Sequence, residues 1–168
     1  MSGPAVDEAP DARGTSGRCH LAGTPGSFDE RPRRLSHDEF AVARLLVAEG
    51  HRVRSLPEGR VLGRTADLEV CGVTTEIKTL KPGATSWTVE NQLSRAIGQG
   101  EQVIVDARGS GLKRRWAERG VTRFAARRPW PGAISSVRVV GDDYRLSYDR
   151  RELTRLRGFH RRPPGLGR

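Results

Sequence analysis

The stretch TADLEVCGVTTEIKTL, residues 65 to 80, carries Asp67, Glu69, Glu76 and Lys78 in an otherwise apolar and threonine-rich run. ADLEV and VTTEIK each alternate, and Gly72 stands between them, so the stretch reads as two strands of a hairpin. With Cys71-Gly72 as a two-residue turn, Val70 pairs with Val73, Glu69 with Thr74, Leu68 with Thr75 and Asp67 with Glu76. Directly opposed side chains of an antiparallel pair lie roughly 4.5–5.5 Å apart at Cβ, where two carboxylates repel. A hard divalent cation turns that repulsion into coordination, because it takes oxygen ligands and keeps several waters. Lys78, two residues past Glu76, shares its face. That places two carboxylates and an ammonium around one spot, a candidate metal site. Glu69, nearer the turn and opposite Thr74, reads as solvated.

The flanking sequence supplies elements to hold such a site. SHDEFAVARLLVAEG has Phe40, Ala43, Leu46 and Val47 at helical spacing, with Ser36 and Glu39 as a capping box and Gly50 as a stop. HRVRSL alternates as a strand. KPGATS is a loop, and WTVENQLSRAIGQ is a second helix with Gln92, Arg95 and Gln99 on its polar side. EQVIVDA reads as a strand buried on both faces. SGLKRRWAERG is a basic helix, AISSVRVV and YRLSYD form a hairpin, and a short helix with a basic tail closes the chain. The order α-β-β-β-α-β predicts an α/β domain over residues 35–150, a mixed sheet flanked by helices with a C-terminal hairpin. Residues 1–34, rich in Gly, Pro and Ala, predict a disordered tail, and residues 151–168 a short basic helix and tail.

Charge points to the partner. The 168-residue chain has net charge +10. Residues 1–34 are balanced, 35–106 carry net −2, and 107–168 carry net +12. Nearly all the excess is arginine, whose planar fork suits phosphate. Lys113, Arg114, Arg115, Arg119, Arg123, Arg127 and Arg128 predict a phosphate track, the alternative being a solvated helix face. Trp87, Trp116 and Trp130 could stack on bases, Trp116 reading equally well as core. Two cysteines, Cys19 and Cys71, make neither a disulfide framework nor a zinc site. No run is apolar enough to span a membrane, and MSGPAVDEAPDARG lacks a signal-peptide pattern. A soluble chain acting in a reducing compartment is the expectation.

Asp67, eight residues, then Glu76-Ile77-Lys78 resembles the D…ExK signature of the PD-(D/E)xK nucleases, whose restriction-endonuclease-like core has the element order read above. The helix carrying Glu39, TTEIKTL, and the loop leading to NQLSRAIGQGEQVIVDAR resemble one branch in particular. That branch is the C-terminal transfer-RNA nuclease domains of contact-dependent growth-inhibition toxins. The resemblance covers about residues 36 to 148. It implies a metal-dependent endonuclease, with Asp67, Glu76 and the Ile77 carbonyl binding Mg²⁺ or Mn²⁺. It assigns Lys78 to orient water or stabilise charge, and sets Glu39 as a completing carboxylate beside its capping role. Gln92, Arg95 and Gln99 would contact substrate, with Lys113, Arg114, Arg115 and Arg119 behind them. It further implies an RNA substrate ahead of DNA, an acidic immunity protein, and action in the cytoplasm of a target cell after delivery. A DNA nuclease of the same fold and a non-catalytic nucleic-acid-binding module are the alternatives.

Overall fold

The computed structural model of the protein describes residues 25–58, 66–127 and 134–159. Seven strands form one mixed sheet in the order β1-β2-β3-β4-β5-β6-β7. In chain order the elements are β1 (Ser27–Asp29), α1 (His37–Ala48), β2 (Arg52–Ser55), β3 (Leu68–Val70) and β4 (Val73–Thr79). They continue with α2 (Ser86–Arg95), β5 (Gln102–Asp106), α3 (Arg114–Ala126), β6 (Ser136–Val140), β7 (Arg145–Asp149) and α4 (Arg150–Phe159). The expected α-β-β-β-α-β order is present, and the C-terminal hairpin is β6–β7.

β1 lies within the stretch expected as a tail. It pairs in parallel with β2, and Gly26 packs so closely on the end of α1 that a Cβ there would sit 2.2 Å from the Val47 carbonyl oxygen. The folded domain therefore begins earlier than residue 35. Only the part of that tail from residue 25 onward falls among the described residues.

The hairpin has the predicted register: Val70 opposes Val73, Glu69 opposes Thr74, and Leu68 opposes Thr75. Cys71 and Gly72 both have positive φ, 53° and 84°, the requirement of a type I′ turn.

β4, β5 and β6 run parallel, with α2 and α3 as their crossovers. Alternation divides the core between the two faces. Val103, Val105, Val137 and Val139 pack with Val89 and Leu93 of α2, Val121 and Phe124 of α3, and Leu153 of α4. Leu68, Val70, Ile77 and Ile104 pack on the other face with Val42, Ala43 and Leu46 of α1. Phe40, expected on the core face of α1, is half exposed and meets Phe28 edge to face at 5.7 Å. Val42 takes the buried position instead. α2 ends at Arg95, earlier than the expected helix, so Gln99 lies in the turn that follows.

α3 runs through Gly120 to Ala126, beyond the stretch read as the basic helix. A Cβ on Gly120 would lie 2.5 Å from Val89 Cβ and 2.8 Å from the Ser86 carbonyl oxygen. Glycine at this point brings α3 against α2.

Candidate active site

Glu76 and Lys78 sit on the α2 face of β4, since their partners in β5 are Val103 and Val105. Glu76 is 4% exposed. Its Oε1 accepts a short hydrogen bond from Lys78 Nζ, while its Oε2 has no hydrogen-bond partner. Lys78 Nζ also donates to Gln99 Oε1 at 2.9 Å. Gly100 lets this turn approach β4: a Cβ there would meet Glu76 N at 3.0 Å and the Thr74 carbonyl oxygen at 3.1 Å.

Asp67 stands one residue before β3, where the ladder with β4 has ended. Its Oδ2 accepts the Ile77 N–H at 2.9 Å, a side-chain oxygen taking the place of a backbone carbonyl. Asp67 is thereby fixed beside Glu76 through the strand that carries Glu76. Burial pushes the Asp67 carboxyl up to about 7, reinforced by the charges of Glu76 and Glu39 and opposed by the Ile77 N–H.

Glu39 forms the capping box with Ser36, accepting the Ser36 N–H at 2.7 Å, and its side chain shares the Arg33 guanidinium with Asp67. Burial pushes Glu39 up, but hydrogen bonds from Ser36, Arg33 and Asp67 hold it below the ordinary range.

Arg33 is the member of this cluster absent from the sequence expectations. Its guanidinium donates to Glu39 Oε1 at 3.1 Å and to Asp67 Oδ1 at 3.4 Å, with its Nε on the Leu56 carbonyl at 3.1 Å. The Arg33 N–H donates to the buried Ser55 hydroxyl at 3.1 Å, so strand β2 anchors it. Nothing in RPRRLSHDEF marks Arg33 apart from its neighbours. Only the return of the chain across β2 gives it a role.

The donor set suits a hard cation in part. Asp67 feels the charge of Glu76, and Glu76 has a buried oxygen that nothing satisfies, which is uncommon unless a ligand or water completes it. Among the described residues, no group of three or more His, Cys, Asp or Glu is arranged to hold a metal. Water would therefore fill most of such an ion's coordination sphere. Ile77 contributes its N–H to Asp67, and its carbonyl as a ligand stays an expectation.

Of the residues expected to contact substrate, Gln99 reaches the site through Lys78. Gln92 and Arg95 make no side-chain contact with it among the described residues. On α3, Lys113 is the N-cap with no side-chain cap bond, and Arg114 pairs with Glu118 at 2.8 Å. Arg115 and Arg119 lie 5.3 and 5.6 Å from the Trp116 ring centroid. Arg123 and Arg127 are taken up by the buried Glu90, each at 2.7 Å, which shortens the expected phosphate track. Arg128 and Trp130 lie outside the described residues.

An open groove of about 800 Å³ lies elsewhere, lined by Leu46, Val70, Val73, Gln102, Arg138 and Thr154 among others. Its lining includes none of Asp67, Glu76 or Lys78.

The architecture is a mixed α/β one, a seven-stranded sheet flanked by four helices, consistent with an α/β nuclease-like core. Among solved structures it is similar to a CdiA-CT/CdiI toxin and immunity complex from Burkholderia pseudomallei, with TM-score 0.54 and 17% identity. The match covers 73% of this chain and 98% of that chain, and supports a toxin-like fold. No protein-family model and no curated protein matches the chain. No helix among the described residues is long and apolar enough to cross a membrane.

Proposed function

We propose that the chain is a metal-dependent endonuclease of toxin type, of the PD-(D/E)xK kind, hydrolysing phosphodiester bonds in RNA, with transfer RNA first among its substrates. One observation carries the reading: buried Glu76, with Oε2 unsatisfied and Oε1 on Lys78, stands beside an Asp67 carboxyl that burial and neighbouring charge disturb. A carboxyl group strongly perturbed by burial beside a specific charged neighbour is a candidate functional group.

Asp67 and Glu76 would hold Mg²⁺ or Mn²⁺. The ion supplies Lewis-acid activation of water and neutralises charge on the phosphate oxygens. Ile77 orients Asp67 through its N–H, and Gln99 keeps Lys78 directed at the site. Lys78, hydrogen-bonded to Glu76, acts as a cation that stabilises charge building on the phosphate. In the reaction, water oxygen bonds to phosphorus, the ester P–O bond breaks, and the water's protons divide between the leaving oxygen and solvent.

The likeness to a toxin supports the toxin role, and the immunity protein in that complex supports an inhibitor for this chain too. The inhibitor would be acidic, to suit a chain of net charge +10. Delivery to the cytoplasm of a target cell follows from the same reading.

Incubating the purified chain with total RNA and with plasmid DNA, with and without Mg²⁺, tests it. Mg²⁺-dependent RNA cleavage is expected. Cleavage of plasmid alone would favour a DNA nuclease of the same fold, and binding without cleavage of either would favour a non-catalytic module.

A further inference from the structure

Two of the most exposed large apolar side chains in the described structure are tryptophans on adjacent helices. Trp87, on the first turn of α2, is 55% exposed, and Trp116, on the first turn of α3, is 38% exposed. α2 and α3 are packed together at Gly120, where Val89 and Ser86 lie against it. Beside its core stripe of Ala117, Val121 and Phe124, α3 carries Trp116, Arg119 and Arg123 at helical spacing, with Arg127 at its C-cap.

The arginines of this face divide into two groups. Arg123 stacks 3.7 Å from the Trp87 ring centroid and is pinned by Glu90. It holds that indole in place and covers one side of it. Arg115 and Arg119 flank Trp116, are exposed, and have no carboxylate partner among the described residues. A solvated face would have no use for two exposed indoles, and a neutral partner no use for two unpaired guanidinium groups. Flat apolar rings beside free positive charge match nucleotides whose bases are out of a helix. Bases in a duplex are stacked on each other and offer no face to an indole.

α2 links this surface to the carboxylate cluster. Trp87 opens the helix, and its far end leads into Gln99, which touches Lys78. Residues 87 to 95 span about 12 Å at the rise of an α-helix, a reach of a few nucleotides.

We infer that the Trp87–Trp116 face of α2 and α3 takes an unpaired segment of the RNA, with bases stacked on the two indoles and phosphates against Arg115 and Arg119. This deepens the RNA reading of the preceding section and rests on it. The substrate class it names is RNA with unpaired nucleotides a few positions from the cut.

The test uses the full chain carrying Glu76→Gln, so that RNA stays intact, with two probes: a single-stranded RNA oligonucleotide and a blunt RNA duplex of equal length. Fluorescence anisotropy of each labelled probe and quenching of tryptophan emission are read together. Trp87→Ala and Trp116→Ala should each weaken the single strand about tenfold, with duplex affinity changed by less than about twofold. Trp87→Phe and Trp116→Phe should recover most of the loss, since a phenyl ring still stacks. Single-strand affinity unchanged by both alanine variants overturns the inference, as does a duplex that binds as tightly as the single strand. A second copy of the chain seated on this face would give the first of these results. Binding is read apart from cleavage: RNA cut by the unsubstituted chain with no effect of the tryptophans sinks only this inference. Tryptophan-dependent binding with no cleavage sinks the nuclease reading and leaves this one standing.

Discussion

Arg33 and Asp67, 34 residues apart in sequence, meet with the guanidinium 3.4 Å from Asp67 Oδ1 and 3.1 Å from Glu39 Oε1. One cation thereby offsets two carboxylates brought together from α1 and the start of β3. Removing it should leave buried negative charge uncompensated. Arg33→Gln is expected to lower metal-free stability by about 1–3 kcal/mol. It should also make the melting temperature respond more strongly to added Mg²⁺ than that of the unsubstituted chain. Thermal unfolding with and without Mg²⁺ checks both, and an unchanged melting temperature would show that Arg33 is not the counter-charge.

The raised Asp67 carboxyl makes metal-free stability depend on pH. Its folded value of about 7 lies above its ordinary value of 3.8, so between these the folded state holds a proton that the unfolded state gives up. The stabilising contribution is complete below pH about 4 and is lost as pH rises through about 7. In EDTA, the chain should lose stability from this group across that window. Asp67→Asn should flatten the dependence there, which unfolding curves at a series of pH values would reveal.

Gly120 fixes the approach of α3 to α2. Gly120→Ala forces a methyl group to within 2.5 Å of Val89 Cβ, against backbone on its other side. A loss of about 1–3 kcal/mol is expected from overpacking, offset only slightly by alanine's better helix propensity. Gly158→Ala, where nothing lies near the added Cβ, is the control and should be neutral or slightly stabilising.

Glu90 restrains two arginines that would otherwise join Arg115 and Arg119. Burial pushes its carboxyl up, and hydrogen bonds from Arg123 and Arg127 outweigh that push and hold it below the ordinary range. Glu90→Gln should release both guanidinium groups to a polyanion. RNA binding should tighten at low salt, with the slope of log affinity against log salt steeper by about 1.4 for a single strand. Binding isotherms at several salt concentrations give that slope, and an unchanged slope would mean that the arginines stay out of reach of phosphate.

The hairpin was legible because alternation and one glycine determine a register: with Cys71-Gly72 as the turn, the pairs from Val70–Val73 to Leu68–Thr75 follow, whereas the expected Asp67–Glu76 pair falls beyond the ladder and Asp67 bonds the Ile77 N–H instead. Glu39 at the site was legible only as one of two roles, since SHDE spells a capping box whether or not the acid reaches further. Arg33 was hidden in a Gly- and Pro-rich approach that looks like a tail. β1 is three residues long and gains its stability from β2 and α1, which no local pattern shows. The pairing of Arg123 and Arg127 with Glu90 was hidden too. Glu90 reads as one more polar helix residue until α3 is laid against α2 and buries it. Local periodicity carried the elements, whereas contacts between elements distant in sequence had to be seen.

The central claim is that Asp67, Glu76 and Lys78 form a metal-dependent hydrolytic site. The most direct measurement is the single-turnover cleavage rate of labelled transfer RNA by the unsubstituted chain and by Glu76→Ala. Each is assayed in EDTA and after Mg²⁺ is restored, with circular dichroism confirming the fold of both. The expected result is cleavage only with Mg²⁺, and a rate lower by a factor on the order of a thousand or more in the variant. Equal rates in a folded Glu76→Ala variant, or cleavage indifferent to EDTA, would contradict it.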